Sequence, residues 1–333
     1  MTNRFYFPEK SLPTAYNLSH YLEARGWLAA SSEQQADFGE ANLDFHEAAA
    51  CCLEYKHLLA KLVTQACPQV MPITWCINDH NWPQVLRQLA DDFYRKDSQY
   101  CNQLDNLSWI LKPALLNNGQ AIQIFQNLND LAQHFAGSRR LGGEHVLQQY
   151  INNPHLLRDN RKYSIRHFMV LTNFAGAYLY PQGYFNVSMH PYAGNDVSDL
   201  KSHLTNEHLY GNEPNVIQIP TVRFELHNSL YPQIKDILRV LVTALQQRFP
   251  DAFVSEKQRT FALFGIDFMV DDSGRVWLLE ANHGPCFPVE DNHPLQSYLY
   301  QDFWQALIDS FVLPVANNSD LDPAILSVFD SIL

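Results

Sequence analysis

Apolar residues recur along this chain at two spacings, and the switches between them mark out its elements. Leu18, Tyr21 and Leu22 share one side of a helical stretch from Thr14 to Arg25, with Gly26 as its stop signal. A longer helical pattern is predicted from about Asp44 to Ala66, with Cys52, Leu59, Leu62, Val63 and Ala66 among its apolar positions, until Pro68 ends it. Ile234, Ile237, Leu238, Leu241, Val242 and Leu245 repeat the helical spacing between Tyr231 and Phe249, behind Pro232. Two short helical patterns, FWQALIDSFVL and PAILSVFDSIL, follow Asp302.

The middle of the chain reads differently. MPITW and LSWIL are strand-like runs on either side of a helix near Trp82 to Arg95, and LLNNGQ after Pro113 is a turn-rich loop. HVLQQYI reads as a strand halted by NNP, and RKYSIRHFMVLT as a longer one. Side chains alternate along a strand, so Lys162, Ser164 and Arg166 share one face. Tyr163, Ile165, Met169 and Leu171, interrupted by His167, form the other, which belongs to the core. FAGAYLYPQGYFNVSMHPY continues as short strands around Gly176 and Gly183, and Tyr192 to Gln218 is polar and aperiodic, the length of a functional loop.

One hairpin carries chemistry. DDSG is a turn signal between the apolar runs Phe261 to Val270 and Arg275 to Ala281, so the two should pair antiparallel. A two-residue loop sets Asp267 directly opposite Glu280; a four-residue loop sets it opposite Leu278, two residues away on the same side. Either register puts Asp267, Glu280 and Asn282 on one face and Phe264, Ile266, Phe268, Val270, Trp277, Leu279 and Ala281 on the other. Two carboxylates this close repel, and burial adds a desolvation cost, so a positive charge should sit between them. Two acids and an amide oxygen are the hard donors that Mg²⁺ selects, and Mg²⁺ usually completes its shell with water and nucleotide phosphates. Solvated acids, or an acid paired with Arg275 or Lys257, would be the ordinary alternative; the adjoining Asn282 and the one-sided pattern favour the metal.

Composition narrows the class. With 333 residues, 46% apolar and 17% charged, the chain can bury a large interior in two or three subdomains. No run approaches the apolar length of a membrane span, and no secretory h-region opens the chain, so the cytoplasm is the expected compartment. A net charge of -12 argues against nucleic acid, and any strongly acidic partner would need a local basic patch. Six cysteines (51, 52, 67, 76, 101, 286) form no CxxC pair and fit buried reduced thiols, Cys286 among them, with no structural zinc expected.

The hairpin FALFGIDFMVDDSGRVWLLEAN resembles the metal-binding segment of the tubulin tyrosine ligase-like family, whose pattern is roughly F-x-L-F-G-x-D-F followed by W-L-L-E-x-N. SWILKP with the later Gly119, VLQQYINNPHLL, RKYSIRHFMVLT, YLYPQG and HLTN follow in the family's order, with weaker echoes in RGW and KHLLAKL, so the resemblance covers most of residues 16 to 285. It implies a mixed α/β (α+β) ATP-grasp fold with the nucleotide between the central and C-terminal subdomains. The divisions it suggests are an N-terminal subdomain over 1–70, a central one over 71–145, a C-terminal catalytic one over 146–315 and a helical tail over 316–333.

Roles follow by resemblance, position by position. Lys112 matches the lysine that reaches the ATP phosphates, and Gln148, Gln149, Tyr150 and Ile151 match the strand that contacts adenine. Lys162 and Arg166 match the basic ends of K-F-D-I-R, near the nucleotide and the reacting phosphoryl group. His203, Thr205 and Asn206 match HLTN, with Thr205 near ribose and Asn206 near phosphate and metal. Asp267, Glu280 and Asn282 match the metal ligands, for Mg²⁺ or Mn²⁺. Two positions depart from the pattern: Ser164 stands where the family has Asp, and Asn186 where it usually has Arg. The first weakens a nucleotide contact, and the second removes a positive charge near the acyl phosphate or acceptor. The implied reaction is ATP-dependent ligation of a free amino acid to a protein or peptide carboxylate, a tubulin tail being one such acceptor. A small carboxylic acid as acceptor, or a nucleotide-binding scaffold that has lost ligation, are the other readings.

Overall fold

The computed structural model describes residues 2–96, 108–209, 213–255, 258–290 and 292–333. Cys101, Lys257 and the first residue of LSWIL lie outside them. Three sheets organise the described residues. A small parallel one joins β1 (Arg4–Tyr6), β2 (Leu28–Ala29) and β3 (Phe38–Gly39) in the order β2-β1-β3. An antiparallel four-stranded sheet joins β4 (Thr74–Ile77), β5 (Trp109–Pro113), β6 (Gln123–Phe125) and β7 (His145–Gln149) in the order β4-β7-β5-β6. The largest contains β8 (Arg161–Thr172), β9 (Gly176–Pro191), β10 (Val216–Pro220), β11 (Phe261–Val270) and β12 (Val276–His283) in the order β10-β9-β8-β11-β12, with β13 (Asp330–Ser331) pairing β9. The mixed α/β class with antiparallel sheets agrees with the ATP-grasp expectation.

The helices follow the apolar spacings, with three local differences. Helix α1 (Pro13–Ala24) buries Leu18, Tyr21 and Leu22, and Gly26 follows at φ 82. The single helix expected from Asp44 to Ala66 is two, α2 (Glu47–Glu54) and α3 (Lys56–Ala66), because Tyr55 between them is extended at φ -80, ψ 117. That break sets Lys56 at the first position of a new helix. After α4 (Trp82–Lys96), α5 (Leu128–Ala136) and α6 (Leu200–His203), helix α7 runs Glu225–Arg248 and carries Pro232 inside it rather than at its start. Pro232 costs one backbone bond there, and buried Leu230 and Ile234 on either side hold the helix against the sheet. The tail is only partly helical: Pro323–Leu326 is one turn, and Asp330–Ser331 adds a strand to β9.

Strand β9 is continuous over 16 residues where short strands were expected. Gly183 permits this, since a Cβ there would come 2.0 Å from the Arg166 carbonyl oxygen on β8. The close approach fixes the backbone beneath Arg166. Behind β8, β11 and β12 lies a core of Tyr163, Ile165, Phe264, Ile266 and Phe268 against Leu238 and Leu241 of α7. At about 1.5–3 kcal/mol for each large side chain fully buried, that face anchors the strands and leaves the opposite one free to carry polar groups.

The hairpin's register settles the choice between loop lengths in an unforeseen way. Asp267 does face Glu280, yet the loop is the five residues Asp271–Arg275, and the count is restored by a bulge between Asp267 and Phe268, where Leu279 has no opposite partner. The bulge reverses the phase of β12. Val276 and Leu278 therefore enter the core where Trp277 and Leu279 were expected, Trp277 lies under Arg275 and donates its Nε1–H to Asp271, and Leu279 turns to the opposite side.

Candidate functional site

A cavity of about 310 Å³ opens between the four-stranded sheet and the front of the large one, and all thirteen residues assigned roles by resemblance line it, together with Ser164 and Asn186. Alternation explains the large-sheet wall. Reading across β12, β11, β8 and β9, one row is Glu280, Asp267, Arg166 and Tyr184; two residues along, the next row is Ser164, Asn186 and Gln218 on β8, β9 and β10. Lys162 follows on β8. From the facing sheet come Lys112 on β5 and Gln148 on β7, which are cross-strand neighbours of Val146 and Ile110 respectively and point into the same space.

In the charged row, Arg166 donates from Nε to Asp267 Oδ1 at 2.6 Å and from Nη2 to Oδ2 at 2.7 Å, a bidentate pair. Burial opposes the guanidinium's charge, but Asp267 outweighs it and holds Arg166 firmly protonated. Burial raises the Asp267 carboxyl to about 6, with Glu280 adding to the rise and Arg166 working against it. Glu280 lies 3.7 Å from Lys56 Nζ, and Lys56, Lys112 and Arg166 together overcome burial and hold it below its ordinary value. Asn282 Nδ2 donates to Asp267 Oδ2 at 3.1 Å and to Glu280 Oε1 at 3.4 Å. The positive charge demanded by the paired acids is thus supplied by Arg166 and by Lys56, which the sequence reading left out of the site. The signal for Lys56 was the KHLLAKL echo, but only the helix break at Tyr55 brings it to Glu280.

The lysine end is built otherwise. Lys112, 8% exposed, donates to Gln148 Oε1 at 2.9 Å, and Gln148 Nε2 donates to Thr74 Oγ1 at 2.9 Å, which fixes the amide's orientation. Lys162, 1% exposed, donates to the Tyr150 hydroxyl at 2.7 Å and lies 4.4 Å and 5.5 Å from the ring centres of Tyr150 and Tyr192. His203 Nε2 donates to the Asp196 carbonyl at 2.9 Å, leaving Nδ1 to accept the Tyr150 hydroxyl at 2.7 Å. Neither ammonium forms an ion pair with a carboxylate among the described residues. Burial pushes Lys112 down to about 8 and, with Lys112 beside it, Lys162 down to about 7. Burying an ion costs several kcal/mol, which a neutral amide or phenol offsets only in part, so an anion is the missing counterpart.

Smaller contacts complete the wall. Thr205 Oγ1 donates to Ser164 Oγ at 2.9 Å. Gly119, at φ +70, brings its loop so close that a Cβ would meet Leu209 at 2.7 Å and Asn206 Oδ1 at 3.3 Å. Ile110, Ile151, Leu204, Met269 and the bulged Leu279 give an apolar stretch of lining. Gln149 donates its backbone N–H to Ile73 O, so its main chain is tied to the segment before β4. Cys286 is exposed at the cavity's edge rather than buried, as the chain leaves β12. The other described cysteines are free thiols as well.

Does a divalent cation fit? No group of three His, Cys, Asp or Glu side chains suited to a metal occurs among the described residues. The donor set of Asp267, Glu280 and Asn282 is nonetheless hard oxygen throughout once the Asn282 amide turns its oxygen inward. Three protein donors leave the rest of an octahedral shell for water and phosphate, so the residues fit Mg²⁺.

A model of the tubulin-tyrosine ligase family matches residues 40–320. Among curated relatives, the protein polyglycylase TTLL10 of Macaca fascicularis is 26% identical over 259 residues, covering 66% of this chain and 42% of the relative. Tubulin glycylase 3D of Tetrahymena thermophila is 26% identical over 255 residues, covering 66% of this chain and 24% of the relative. A human protein named inactive polyglycylase TTLL10 is 26% identical over 261 residues, covering 66% and 38%. The chain therefore spans less than half the length of these relatives.

Proposed function

Because this chain belongs to the tubulin-tyrosine ligase family, we propose that it is an ATP-dependent ligase that joins an amino acid to a carboxylate of a protein or peptide. The observation that carries the reading is the pair of buried ammonium groups, Lys112 and Lys162, facing a cavity without carboxylate partners of their own among the described residues. In a chain of net charge -12 this is the local basic patch that a triphosphate requires. Lys112 and Lys162 hold phosphate oxygens, and the strand residues Gln148 to Ile151, with the apolar lining, bound the base. Ser164 and Thr205, already hydrogen-bonded, face the sugar. Asp267, Glu280 and Asn282 would hold Mg²⁺, or Mn²⁺ with its similar oxygen preference, which when bound neutralises charge on the transferring phosphoryl group.

The reaction runs as two displacements. An acceptor carboxylate oxygen attacks the γ-phosphorus and ADP leaves, giving an acyl phosphate; the amine of a free amino acid attacks the carbonyl carbon, phosphate leaves, and the ammonium proton goes to solvent. Arg166, held in line by Asp267, and Asn206 orient the phosphoryl oxygens. Cytoplasmic ATP and amino acids suit such an enzyme, and no helix among the described residues is long and apolar enough to cross a membrane. Relatives named as tubulin glycylases make a tubulin tail one acceptor to test.

The test is incubation with ATP, Mg²⁺, glycine, glutamate or tyrosine, and peptide or protein acceptors, followed by ADP measurement and mass spectrometry. ADP release together with a mass increase of one amino-acid residue on the acceptor supports the ligase. A specific observation favours a second reading: Ser164 and Asn186, the two departures from the family pattern, are direct cross-strand partners, so an acid and a base are absent together from one spot. A protein that binds ATP and releases no ADP with any acceptor would be the scaffold instead.

A further inference from the structure

We propose that the chain carries a second anion site, on the reverse of the four-stranded sheet from the first cavity, and that it takes a phosphoryl group borne on a small molecule. The inference stands apart from the ligase reading, because no residue lines both places.

Strand alternation separates them. Lys112 and Gln148 face the first cavity, so Leu111 on β5, its cross-strand partner Gln123 on β6, and His145 on β7 face the other way, toward α5. There a second cavity of about 400 Å³ is bounded by His134, near the end of α5, and by the segment 138–141 that follows the helix. No Asp or Glu lines it, although the chain has 35 acids against 23 lysines and arginines. Two guanidinium groups and two imidazoles do.

These groups are not equivalent. Arg140 is spent on the fold: it pairs with Asp79, gives its Nε–H to the Phe135 carbonyl at 3.3 Å and lies 5.0 Å from the centre of the Phe135 ring. Asp79 also accepts the Gly143 N–H at 2.9 Å, so the segment is tied down on both sides of Leu141. Arg139, beside it and exposed, has no carboxylate partner among the described residues. Burial, with Arg140 and His145 nearby, holds His134 below the ordinary histidine value, so it adds a ring N–H and no charge. His145 is the sharper sign. It is only 3% exposed, and its Nδ1 donates to the Gly143 carbonyl at 3.0 Å, because a carbonyl only accepts. That leaves Nε2 of a buried ring in the cavity wall, met by no group among the described residues.

A cation does not fit here: Arg139 and Arg140 repel it, and no third metal-ligating side chain joins the histidines among the described residues. An anion does, and its donors come from three directions. The Arg139 guanidinium and Ser138 hydroxyl belong to the segment after α5, the Gln123 amide to β6, and His145 Nε2, once protonated, to β7. A phosphoryl group has three terminal oxygens set apart in space to receive them, whereas a carboxylate offers two in one plane. The volume exceeds that of the phosphoryl group itself, and Leu111, Ala121 and Leu141 line the remainder, which suits an ester with an apolar body.

The test is equilibrium binding to the full chain at pH 7, with Mg²⁺ and a non-hydrolysable ATP analogue present to fill the first cavity. The probes are phenyl phosphate, inorganic phosphate and phthalate, the last a planar dicarboxylate of similar size and charge. Phenyl phosphate should bind with a dissociation constant below about 1 mM and roughly tenfold more tightly than phthalate. Arg139→Gln, at an exposed position, should weaken phenyl phosphate about tenfold with the melting temperature unchanged, and His145→Gln should weaken it likewise. Inorganic phosphate binding as tightly as the ester names the free ion as the ligand and weaker binding names the ester; either result supports the site. Phthalate binding as tightly as phenyl phosphate, or phenyl phosphate binding unaltered by Arg139→Gln, overturns the inference. So does the absence of saturable binding up to about 10 mM.

Discussion

At one end of the cavity Arg166 and Asp267 exchange two short hydrogen bonds and Glu280 lies within reach of Lys56, so each charge there meets its opposite. At the other end Lys112 and Lys162 are as deeply buried, yet among the described residues they meet only an amide oxygen, a phenol and ring faces. The two ends share strand β8 and face the same space, so burial alone does not separate them; what differs is whether the chain supplies the counter-charge. An arrangement that balances itself can stand alone and orient its members, as Asp267 orients Arg166. One that leaves ammonium groups unbalanced spends stability on readiness for an anion.

Breaking the balanced end should have the largest effect on chemistry. Glu280→Gln keeps the shape and removes the charge shared by Lys56 and the metal set, and ADP release should fall roughly 10³-fold, the scale of losing a central electrostatic contact. Undiminished turnover would remove Glu280 from the site. Binding at the unbalanced end should also move protons. Lys162 sits at about 7 and Lys112 at about 8, so near pH 8 the first is mostly neutral and the second about half charged. Phosphate oxygens favour the ammonium form, so nucleotide binding at pH 8 should take up about 1.4 protons, and at pH 6, where both are already charged, almost none. Calorimetry in two buffers of different ionisation enthalpy reads this directly.

A smaller effect belongs to the back of the same strand. His167 and His227 meet through their Nε2 atoms at 3.0 Å, and burial holds them neutral, down to about 3 and about 4. Their folded values lie below the ordinary one near 6.5, so the unfolded chain binds the extra protons as pH falls. The melting temperature should decline from pH 6.5 toward pH 4, and replacing both histidines with leucine should flatten that decline.

Sequence periodicity made much of this arrangement legible, and particular residues show where it stopped. The alternation on β8 put Lys162, Ser164 and Arg166 on one face because a strand has only two, and the thirteen residues assigned by resemblance do line one cavity. The phase of β12 was not legible. DDSGR can close a hairpin in several lengths, and the five-residue loop, tied by Asp271 Oδ1 accepting from the backbone of Ser273 and Arg275, is rescued by a bulge that leaves no mark in the apolar pattern. Lys56 escaped for a related reason: helical spacing runs straight through Tyr55, and only its extended backbone starts a new helix that reaches Glu280. The Lys162, Tyr150 and His203 chain was hidden because it joins three separate segments through polar tips that no periodicity records.

The most direct measurement is the affinity of Lys162→Met for Mg²⁺ and a non-hydrolysable ATP analogue, taken alongside its melting temperature. Methionine keeps the length of the side chain and removes the unbalanced charge. The account predicts that affinity falls on the order of 100-fold, the loss of one buried charged contact, while the ligand-free protein melts no lower than the parent, or higher. Unchanged nucleotide affinity, with or without a change in melting, would contradict the claim that this buried ammonium waits for phosphate.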